Sequence, residues 1–269
     1  MQKLIKNDVK TCEVLVDEFH KTSQPTNPEM IEFIGVGERD VYNITAPFED
    51  NGEQVIAGRV EERDSEHSEV YFFVNRDGVW TPREDAPVFT LQDPFFTKIG
   101  DELVLGGVEI FPHPTMKGGL AWRTIFYKGK SINDLERFAK GPDGMKDLRI
   151  VELPSGEIGV LTRPQGEKGG RGEIGFTKVP TLDDLTIEVI DQAPLLTGQF
   201  IKEEWGGGKE IHILSNGLLG ILGHIACFDE AGDRHYYPMA FALNPETSEY
   251  SDMKIIAERA NFFSGPTKR

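Results

Sequence analysis

Cysteine is scarce in this sequence of 269 residues: only Cys12 and Cys227 occur, with no C-x-x-C pair and no zinc-type cysteine–histidine spacing. The sequence therefore argues against a disulfide framework and a structural zinc site, and both cysteines are expected to be buried free thiols. It also lacks an apolar run of the ~18 residues that a membrane helix needs, and the apolar segment of a signal peptide. We therefore expect a soluble, cytoplasmic protein without a membrane partner.

Basic residues are also few, since 29 lysines and arginines stand against 45 aspartates and glutamates, which gives a formal net charge of −16. A surface this acidic repels phosphate backbones, so no nucleic-acid partner is expected. Short catalytic motifs are missing too: the sequence contains no G-x-S-x-G, H-E-x-x-H, Walker-type or EF-hand pattern. These absences argue against the corresponding hydrolase, metal-binding and nucleotide-binding classes.

What the sequence does contain is one pattern that recurs in four copies. Each copy has a short strand with a polar tip, then a turn, then a glycine-rich apolar strand that ends on charged residues. The glycine-rich strands cover residues 55–61, 103–109, 158–163 and 219–224. A period of about 40–50 residues filled by short strands is typical of propeller blades.

The pattern predicts a single all-β domain over residues 1–269, folded as a five-bladed β-propeller. Four blade units run over about residues 42–89, 91–141, 145–196 and 205–258. Two further apolar segments, at 12–16 and 30–34, are interpreted as strands of a fifth blade shared by the two termini. Few residues follow Arg259, so this closing blade is either incomplete or the native chain continues past Arg269.

Inner strands of a propeller converge on its axis, so the polar tips of the four copies are the first candidate site residues. These tips are Asn43, Asp93, Asp147 and Lys209. Asp93 precedes Pro94, which favours an extended backbone at Asp93, and we take it as the candidate catalytic carboxylate. The alternative is that Asp93 is only a capping or turn aspartate.

A second ring of candidates lies at the charged ends of the glycine-rich strands. Arg59 and Glu61 alternate onto one face of their strand, where they suit two neighbouring hydroxyls of a sugar; an exposed salt bridge is the alternative. The equivalent residues of the later copies are Glu109, Arg163 and His224.

Positive residues in the later copies indicate an anion site. Arg163, Lys209 and His224 would together form a site of the size of phosphate. Trp205 precedes a run of three glycines and is interpreted either as an apolar face for a sugar or as a core residue.

Five motifs in a fixed order resemble a known family. The order is R-V-E, Q-D-P-F, K-D-L-R-I with T-R-P, W-G-G-G-K-E-I-H and G-H-I-A. It resembles the five-bladed propeller β-mannoside phosphorylases, and within them the β-1,2-mannan (mannogen) mannosyltransferase-phosphorylases, over about residues 40–265. The resemblance implies an inverting enzyme that transfers mannose between a sugar and phosphate or mannose 1-phosphate.

The resemblance also implies roles for individual residues. Asp93 would be the single catalytic acid, and Arg59 with Glu61 would bind the mannosyl unit. Phosphate would be bound by Arg163, Lys209 and His224, and polar sugar contacts would come from Lys146 and Asp147. Because phosphate is itself the nucleophile, the reaction needs no base, no metal and no organic cofactor.

Two other functions stay open at this point. An inverting hydrolase needs a second carboxylate ~6.5–9.5 Å from the acid, which Glu61, Glu109 or Asp147 could supply. A propeller can also bind sugar without turnover. The acceptor, the linkage, the reaction direction, the donor (mannose 1-phosphate or a nucleotide sugar) and a homo-oligomeric state are not determined by these patterns.

Overall fold

A computed structural model describes residues 4, 6–24 and 27–265 of the chain. The described residues divide into two compact units. The proximal unit contains Glu29–Asp143 together with Ser264 and Gly265, and the distal unit contains the described residues up to Pro28 together with Gly144–Phe263. Each unit holds two antiparallel sheets, and the four sheets correspond to the four predicted copies.

The first sheet of the proximal unit consists of β1 (Asp40–Tyr42), β2 (Phe48–Asp50), β3 (Glu53–Glu61), β4 (Ser68–Arg76) and β5 (Val79–Pro82). Both β1 and β2 pair with β3, and the order continues to β4 and β5. The β4–β5 hairpin turns on Asp77 and Gly78, with φ of 55° and 95°. An Asp-Gly pair with both φ values positive is the preferred two-residue hairpin turn, because its twist matches that of the strands.

The second sheet of the proximal unit consists of β6 (Gln92–Ile99), β7 (Glu102–Pro112), β8 (Leu120–Gly129) and β9 (Glu136–Lys140). The strands pair in chain order, and a 3₁₀ turn at Ile132–Asp134 joins the last two. Apolar residues that alternate along the strands form the core of this unit, in which Val55, Val70, Phe72, Leu105 and Ile125 are buried. Burial of such side chains contributes ~1.5–3 kcal/mol each.

The distal unit contains the third and fourth sheets. The third sheet consists of β10 (Arg149–Glu152), β11 (Ile158–Thr162) and β12 (Gly175–Val179), followed by a 3₁₀ turn at Leu182–Asp184 and helix α2 (Ile187–Gln192). The fourth sheet consists of β13 (Trp205–Ile213), β14 (Leu219–Phe228), β15 (Arg234–Leu243) and β16 (Lys254–Ile255), with a 3₁₀ turn at Arg259–Asn261 after it. Both sheets pair in chain order.

Residues 12–16 do not form the predicted strand; they begin helix α1 (Cys12–Thr22). The Thr11 hydroxyl accepts a hydrogen bond from the Val14 amide at 3.3 Å and so caps the helix. The inward side chains are Cys12, Leu15 and Phe19 with Val16, which have the i, i+3, i+4, i+7 spacing of a helix face. That spacing was visible in the sequence, so the strand prediction was wrong for a recognisable reason. Both cysteines are free thiols, with Cys12 buried and Cys227 half-buried.

Residues 30–34 also differ from the prediction. Phe33 forms an isolated parallel bridge with Trp80, and the Ile34 amide donates to the Trp80 carbonyl at 3.0 Å. The segment therefore runs along β5 of the first sheet and does not begin a closing blade. Within the described part of the chain no sheet is built from the termini, and residues 266–269 lie outside it. None of the described helices is long and apolar enough to cross a membrane.

Candidate active site

Three of the four predicted polar tips share an unusual backbone conformation. Asn43, Asp93 and Asp147 have φ values of 47°, 48° and 62°, in the left-handed region. Asparagine and aspartate are the non-glycine residues that best tolerate this region, and such residues occur often at functional sites. The fourth tip, Lys209, lies at a register shift between Gly208 and Glu210. The left-handed conformation thus recurs at the same position of the sequence repeat in three of the four copies.

The expected extended backbone at Asp93 is corrected by this finding. Gln92 pairs with Val108 and Phe95 pairs with Gly106, so two residues, Asp93 and Pro94, stand opposite one residue of β7. This is a β-bulge, which bends the strand and redirects a side chain. The bulge, and not an extended pre-proline backbone, positions the carboxylate.

A glycine makes room for the bulge. A Cβ atom on Gly107 would come within 2.9 Å of Leu91 Cδ1 and 3.2 Å of the Gln92 carbonyl oxygen. Such contacts are tighter than nearly all real Cβ contacts, so a side chain at Gly107 would require Leu91 and the Gln92 backbone beside Asp93 to shift. The glycine pair in the predicted copy therefore has a packing role beside the candidate acid.

The acid centre of the proximal unit consists of Asp93 with Asn43, Arg59, Glu61 and Tyr42. Asn43 Nδ2 donates to Asp93 Oδ1 at 2.5 Å, and Arg59 Nη1 donates to the same oxygen at 3.1 Å. Arg59 also donates from Nε to Glu61 Oε2 at 2.8 Å, while the Tyr42 hydroxyl donates to Glu61 Oε1 at 2.6 Å. The structure thus brings Asn43, Arg59, Glu61 and Asp93 together, as the sequence predicted.

These charges are buried. Glu61 is fully buried and Asp93 is 8% exposed, with Arg59 at 5%. Burial by itself lowers the pKa of Arg59, but the charge of Asp93, the hydrogen bond that Arg59 donates to Glu61 and the charge of Glu61 raise it, so the guanidinium stays positive. Arg59 is therefore fixed between two carboxylates, and the exposed salt bridge that was the alternative is excluded.

The cationic centre of the distal unit consists of Asp147 with Lys209, Arg163, Arg149 and His224. Lys209 Nζ donates to Asp147 Oδ1 at 2.5 Å, and Arg163 Nη1 lies 3.5 Å from Asp147 Oδ2. Arg149 Nε donates to the Lys209 carbonyl at 2.7 Å and holds the backbone beneath the lysine. Asp147, Arg149 and Arg163 are each at most 5% exposed.

The positive charges decide the ionisation of this centre. Burial raises the pKa of Asp147, but Lys209, Arg163, His224 and Arg149 outweigh it and hold that pKa well below its usual range. The pKa of His224 falls from 6.5 to about 3, because burial and the charges of Lys209, Arg163 and Lys146 outweigh the opposite effect of Asp147. His224 is therefore a neutral imidazole at pH 7. The prediction that His224 is one of the cations of the anion site was therefore wrong.

Two buried polar atoms of the cationic centre have no hydrogen-bond partner among the described residues. They are Arg163 Nη1 and Asp147 Oδ2. The other nitrogens of Arg163 are used, since Nε donates to the Gly206 carbonyl at 2.7 Å and Nη2 donates to the Arg171 carbonyl at 3.3 Å. These two atoms face each other at 3.5 Å, so they form an ion pair at the limit of hydrogen-bond distance. Because this contact is long, Arg163 Nη1 is a candidate anion contact.

Glycine also permits the close packing of this centre. A Cβ atom on Gly207 would lie 2.7 Å from Arg163 Cδ and 2.9 Å from Asp147 Oδ2. The W-G-G-G run therefore places bare backbone against the buried ion pair.

Two predicted sugar contacts are placed elsewhere by the structure. Glu109 accepts hydrogen bonds from Arg123 at 2.6 Å and Arg137 at 3.4 Å, so it belongs to an ion-pair network across β7, β8 and β9. Trp205 is 5% exposed and packs against Phe228, with ring centroids 5.0 Å apart. Its face is covered, which agrees with the core alternative and corrects the sugar-platform prediction.

Sequence reasoning missed other members of the two centres. Ser68 is buried beside Glu61, donates to that carboxylate and accepts from Arg59 Nε at 2.9 Å. Arg149 lies in the K-D-L-R-I motif but was not assigned a role. The cross-strand register of β3 and β4, which pairs Glu61 with Ser68, would have identified the serine. Lys146 is half-buried and acts on the cationic centre through its charge.

Four antiparallel sheets, with polar tips at repeated positions, define an all-β propeller fold. The chain belongs to the family described as "Protein of unknown function (DUF1861)", whose model matches residues 17–269. A search of curated protein sequences found no significant match.

Solved structures similar to this chain include two enzymes of Leishmania mexicana. MPT-4, a mannose phosphorylase in complex with a phosphate ion, is 32% identical, with a TM-score of 0.87 over 96% of this chain and 80% of that one. MPT-1, a GDP-Man-dependent mannosyltransferase, is 32% identical, with a TM-score of 0.85 over 97% of this chain and 83% of that one. The β-1,2-mannobiose phosphorylase of Listeria innocua is 17% identical (TM-score 0.55, 86% and 79% covered), which shows a shared fold alone.

Proposed function

We propose that this protein is a glycoside phosphorylase and glycosyltransferase that moves a mannosyl unit between a sugar and phosphate. The observation that carries the proposal is that each unit contains one buried centre of ionisable side chains, and the two centres differ in charge. One holds a positioned carboxylate, Asp93, and the other holds the cations Arg163 and Lys209 around Asp147. Two relatives at 32% identity, a mannose phosphorylase and a mannosyltransferase, support the class of reaction.

The acid centre would perform the proton transfer. In the phosphorolytic direction the glycosidic C–O bond breaks, its electron pair goes to the leaving oxygen, and Asp93 supplies the proton to that oxygen. In the synthetic direction Asp93 takes the proton from the acceptor hydroxyl. Arg59 and Glu61 are fixed side by side and would bind the mannosyl hydroxyls, as charged partners make the stronger hydrogen bonds.

The cationic centre would bind the phosphate group. A phosphate oxygen attacks the anomeric carbon, and inversion follows from attack opposite the leaving group. Arg163 and Lys209, which both pair with Asp147, would supply the positive charge that attracts phosphate, and His224 would act as a neutral hydrogen-bond donor. Lys146 and Asp147 complete the local charge pattern.

The hydrolase alternative is disfavoured by the contacts of the other carboxylates. A water-activating base needs an available carboxylate oxygen. Glu61 accepts hydrogen bonds from Arg59, Ser68 and Tyr42, and Glu109 is bound to two arginines. Asp147 is surrounded by cations that stabilise its charge and weaken it as a base.

A nucleotide-sugar donor is the second candidate. The GDP-Man-dependent relative matches this chain as well as the phosphorylase does, at 32% identity each. The β-1,2 linkage and the inverting outcome are part of our proposal and rest on the sequence resemblance.

The test offers each donor separately. Purified protein is incubated with mannose 1-phosphate, or with GDP-mannose, and a panel of mannose and β-mannoside acceptors. Release of inorganic phosphate with growth of the oligosaccharide supports the phosphorylase, and release of GDP supports the second candidate. NMR of the product gives the linkage and anomeric configuration. No release from either donor across the panel would contradict both.

A further inference from the structure

One face of the fourth sheet carries an aromatic and arginine cluster that the proposed chemistry does not use. The register places Trp205, Ala226 and Tyr236 in one row across β13, β14 and β15, and it places Phe228 opposite Arg234. Directly paired residues point to the same face of a sheet. The intervening residues Ile225 and Cys227 point to the other face and pack in the core beneath α1.

Two of these aromatic side chains are exposed although an apolar core is close by. Tyr236 is 48% exposed and Phe228 is 39% exposed. The buried Trp205 supports both, with ring centroids 5.0 Å from Phe228 and 6.2 Å from Tyr236. Ala226 leaves space for the two larger rings of its row to meet. The result is a fixed ridge of Phe228 and Tyr236, called here the aromatic ridge.

Two guanidinium groups border the aromatic ridge. The Arg171 guanidinium carbon lies 5.0 Å from the Phe228 ring centroid and 5.6 Å from that of Trp205, and that of Arg234 lies 5.6 Å from Phe228. Among the described residues neither arginine forms an ion pair, in a protein whose formal charge is −16. Their donors remain directed to solvent or to a ligand beside the rings.

The aromatic ridge is continuous with the cationic centre. The rings of His224 and Tyr236 have centroids 5.4 Å apart. The segment that carries Arg171 is also tied to this centre, because its carbonyl accepts hydrogen bonds from Arg163 at 3.3 Å and from Gln165 at 2.9 Å. A ligand bound at the cations would therefore have the ridge next to it.

We propose that the aromatic ridge, with Arg171 and Arg234, is a subsite for the sugar acceptor, an inference that rests on the proposed function. A pyranose presents an apolar C–H face, which suits an aromatic ring, and neighbouring hydroxyls, which suit a guanidinium. The ring planes meet at 46°, 55° and 88°, so they form a ridge and not a parallel slot of the kind that stacks a flat base. This geometry favours a sugar over a nucleobase.

The test separates acceptor binding from donor binding. In Tyr236→Ala and Phe228→Ala we expect the KM for the β-mannoside acceptor to rise about 3- to 10-fold each, equivalent to about 0.7–1.4 kcal/mol. The KM for mannose 1-phosphate should not change. Arg234→Met tests the arginine without altering a ring, and Phe262→Ala is the control, because Phe262 is a similarly exposed aromatic residue of the same unit.

A binding measurement keeps this inference distinguishable from the proposed function. Calorimetric titration of the wild type and the variants with β-mannosides and, separately, with inorganic phosphate needs no turnover. Sugar binding that the ridge variants lose, in a protein without turnover, supports the subsite and contradicts the proposed function. Turnover with unchanged acceptor KM in all three variants overturns the subsite. A wild type that binds no sugar contradicts both.

Discussion

Asp93 and Asp147 have the same backbone conformation at the same place in the repeat, yet their surroundings are opposite. Asp93 shares one guanidinium, Arg59, with a second buried carboxylate, Glu61. Asp147 is paired with Lys209 and Arg163 and has a third cation, Arg149, close by. The acid centre therefore has a negative surplus, and the cationic centre has a positive one.

The sequence repeat therefore determines where the carboxylate of each aspartate lies, and the charged residues around it determine its chemical role. A left-handed aspartate places a carboxylate at a strand end in both units. Where carboxylates outnumber cations, that carboxylate is a candidate for proton transfer. Where cations outnumber carboxylates, it orders the positive groups that would hold an anion.

The largest difference between the two aspartates should appear in Asp93→Asn. Asparagine keeps the shape and tolerates the left-handed backbone, but it cannot donate an acidic proton, so turnover should fall about 10²- to 10⁴-fold. Thermal stability and mannoside binding should be retained. Phosphate release from mannose 1-phosphate measures the loss. Asp77→Asn, at an exposed left-handed turn, is the matched control and should keep full activity.

The second prediction is that Asp147→Asn acts first on folding. It leaves Lys209 and Arg163 without their buried counter-charge, and breaking a buried pair in this way costs about 3–5 kcal/mol. Denaturant unfolding of both asparagine variants measures the difference. Equal stability of the two would remove the contrast between the centres.

The second prediction also implies that the stability of the folded protein falls in acid. The pKa of Asp147 in the folded state lies below its ordinary value of 3.8, so its stabilising contribution is present above that value and is lost as the pH falls through and below it. The wild type should lose this contribution in acid. In Asp147→Asn that part of the acid sensitivity should be missing.

Much of this fold was predictable because strand periodicity and turn residues are local signals. The glycine-rich strands and the four repeat units were found from the sequence, and so was the pairing of Arg59 with Glu61. Helix α1 was missed although its i, i+3, i+4, i+7 pattern is local, because five apolar-rich residues were interpreted alone. The terminal fifth blade depended on that error.

Three features of the candidate site were not predictable from the sequence, because they depend on burial and on the pairing of strands. The neutral state of His224 follows from desolvation and from three cations, of which Arg163 and Lys146 lie in a different sheet region of the sequence repeat. The covered face of Trp205 depends on Phe228 and Tyr236, which belong to no motif. The Asp93 bulge needs the register against β7, which the Q-D-P-F motif does not contain.

The third prediction uses two glycine variants to distinguish the kinetic roles of the two centres. Alanine at Gly207 would press on Arg163 and Asp147, and alanine at Gly107 would press on the strand that carries Asp93. Each should cost about 1–3 kcal/mol of stability. Gly207→Ala should mainly raise the KM for phosphate, whereas Gly107→Ala should mainly lower kcat. Gly217→Ala, at a turn with φ of 81° and open space around it, is the control for the kinetic effects alone, because alanine there strains the backbone without contacting either centre. The same kinetic change in Gly207→Ala and Gly107→Ala would contradict separate roles.

The smallest expected effect is the absence of a titration. With a pKa of about 3, the His224 imidazole should stay neutral between about pH 5 and 8, where an ordinary histidine gains its proton. NMR of the ring nitrogens, assigned by comparison with His224→Asn, measures this directly. Asp147→Asn should lower the His224 pKa further, because the Asp147 charge is what raises it. A His224 signal that titrates near neutral pH would mean that the cationic centre binds phosphate with one more positive charge, and the contrast with the acid centre would then be greater than the present structure indicates.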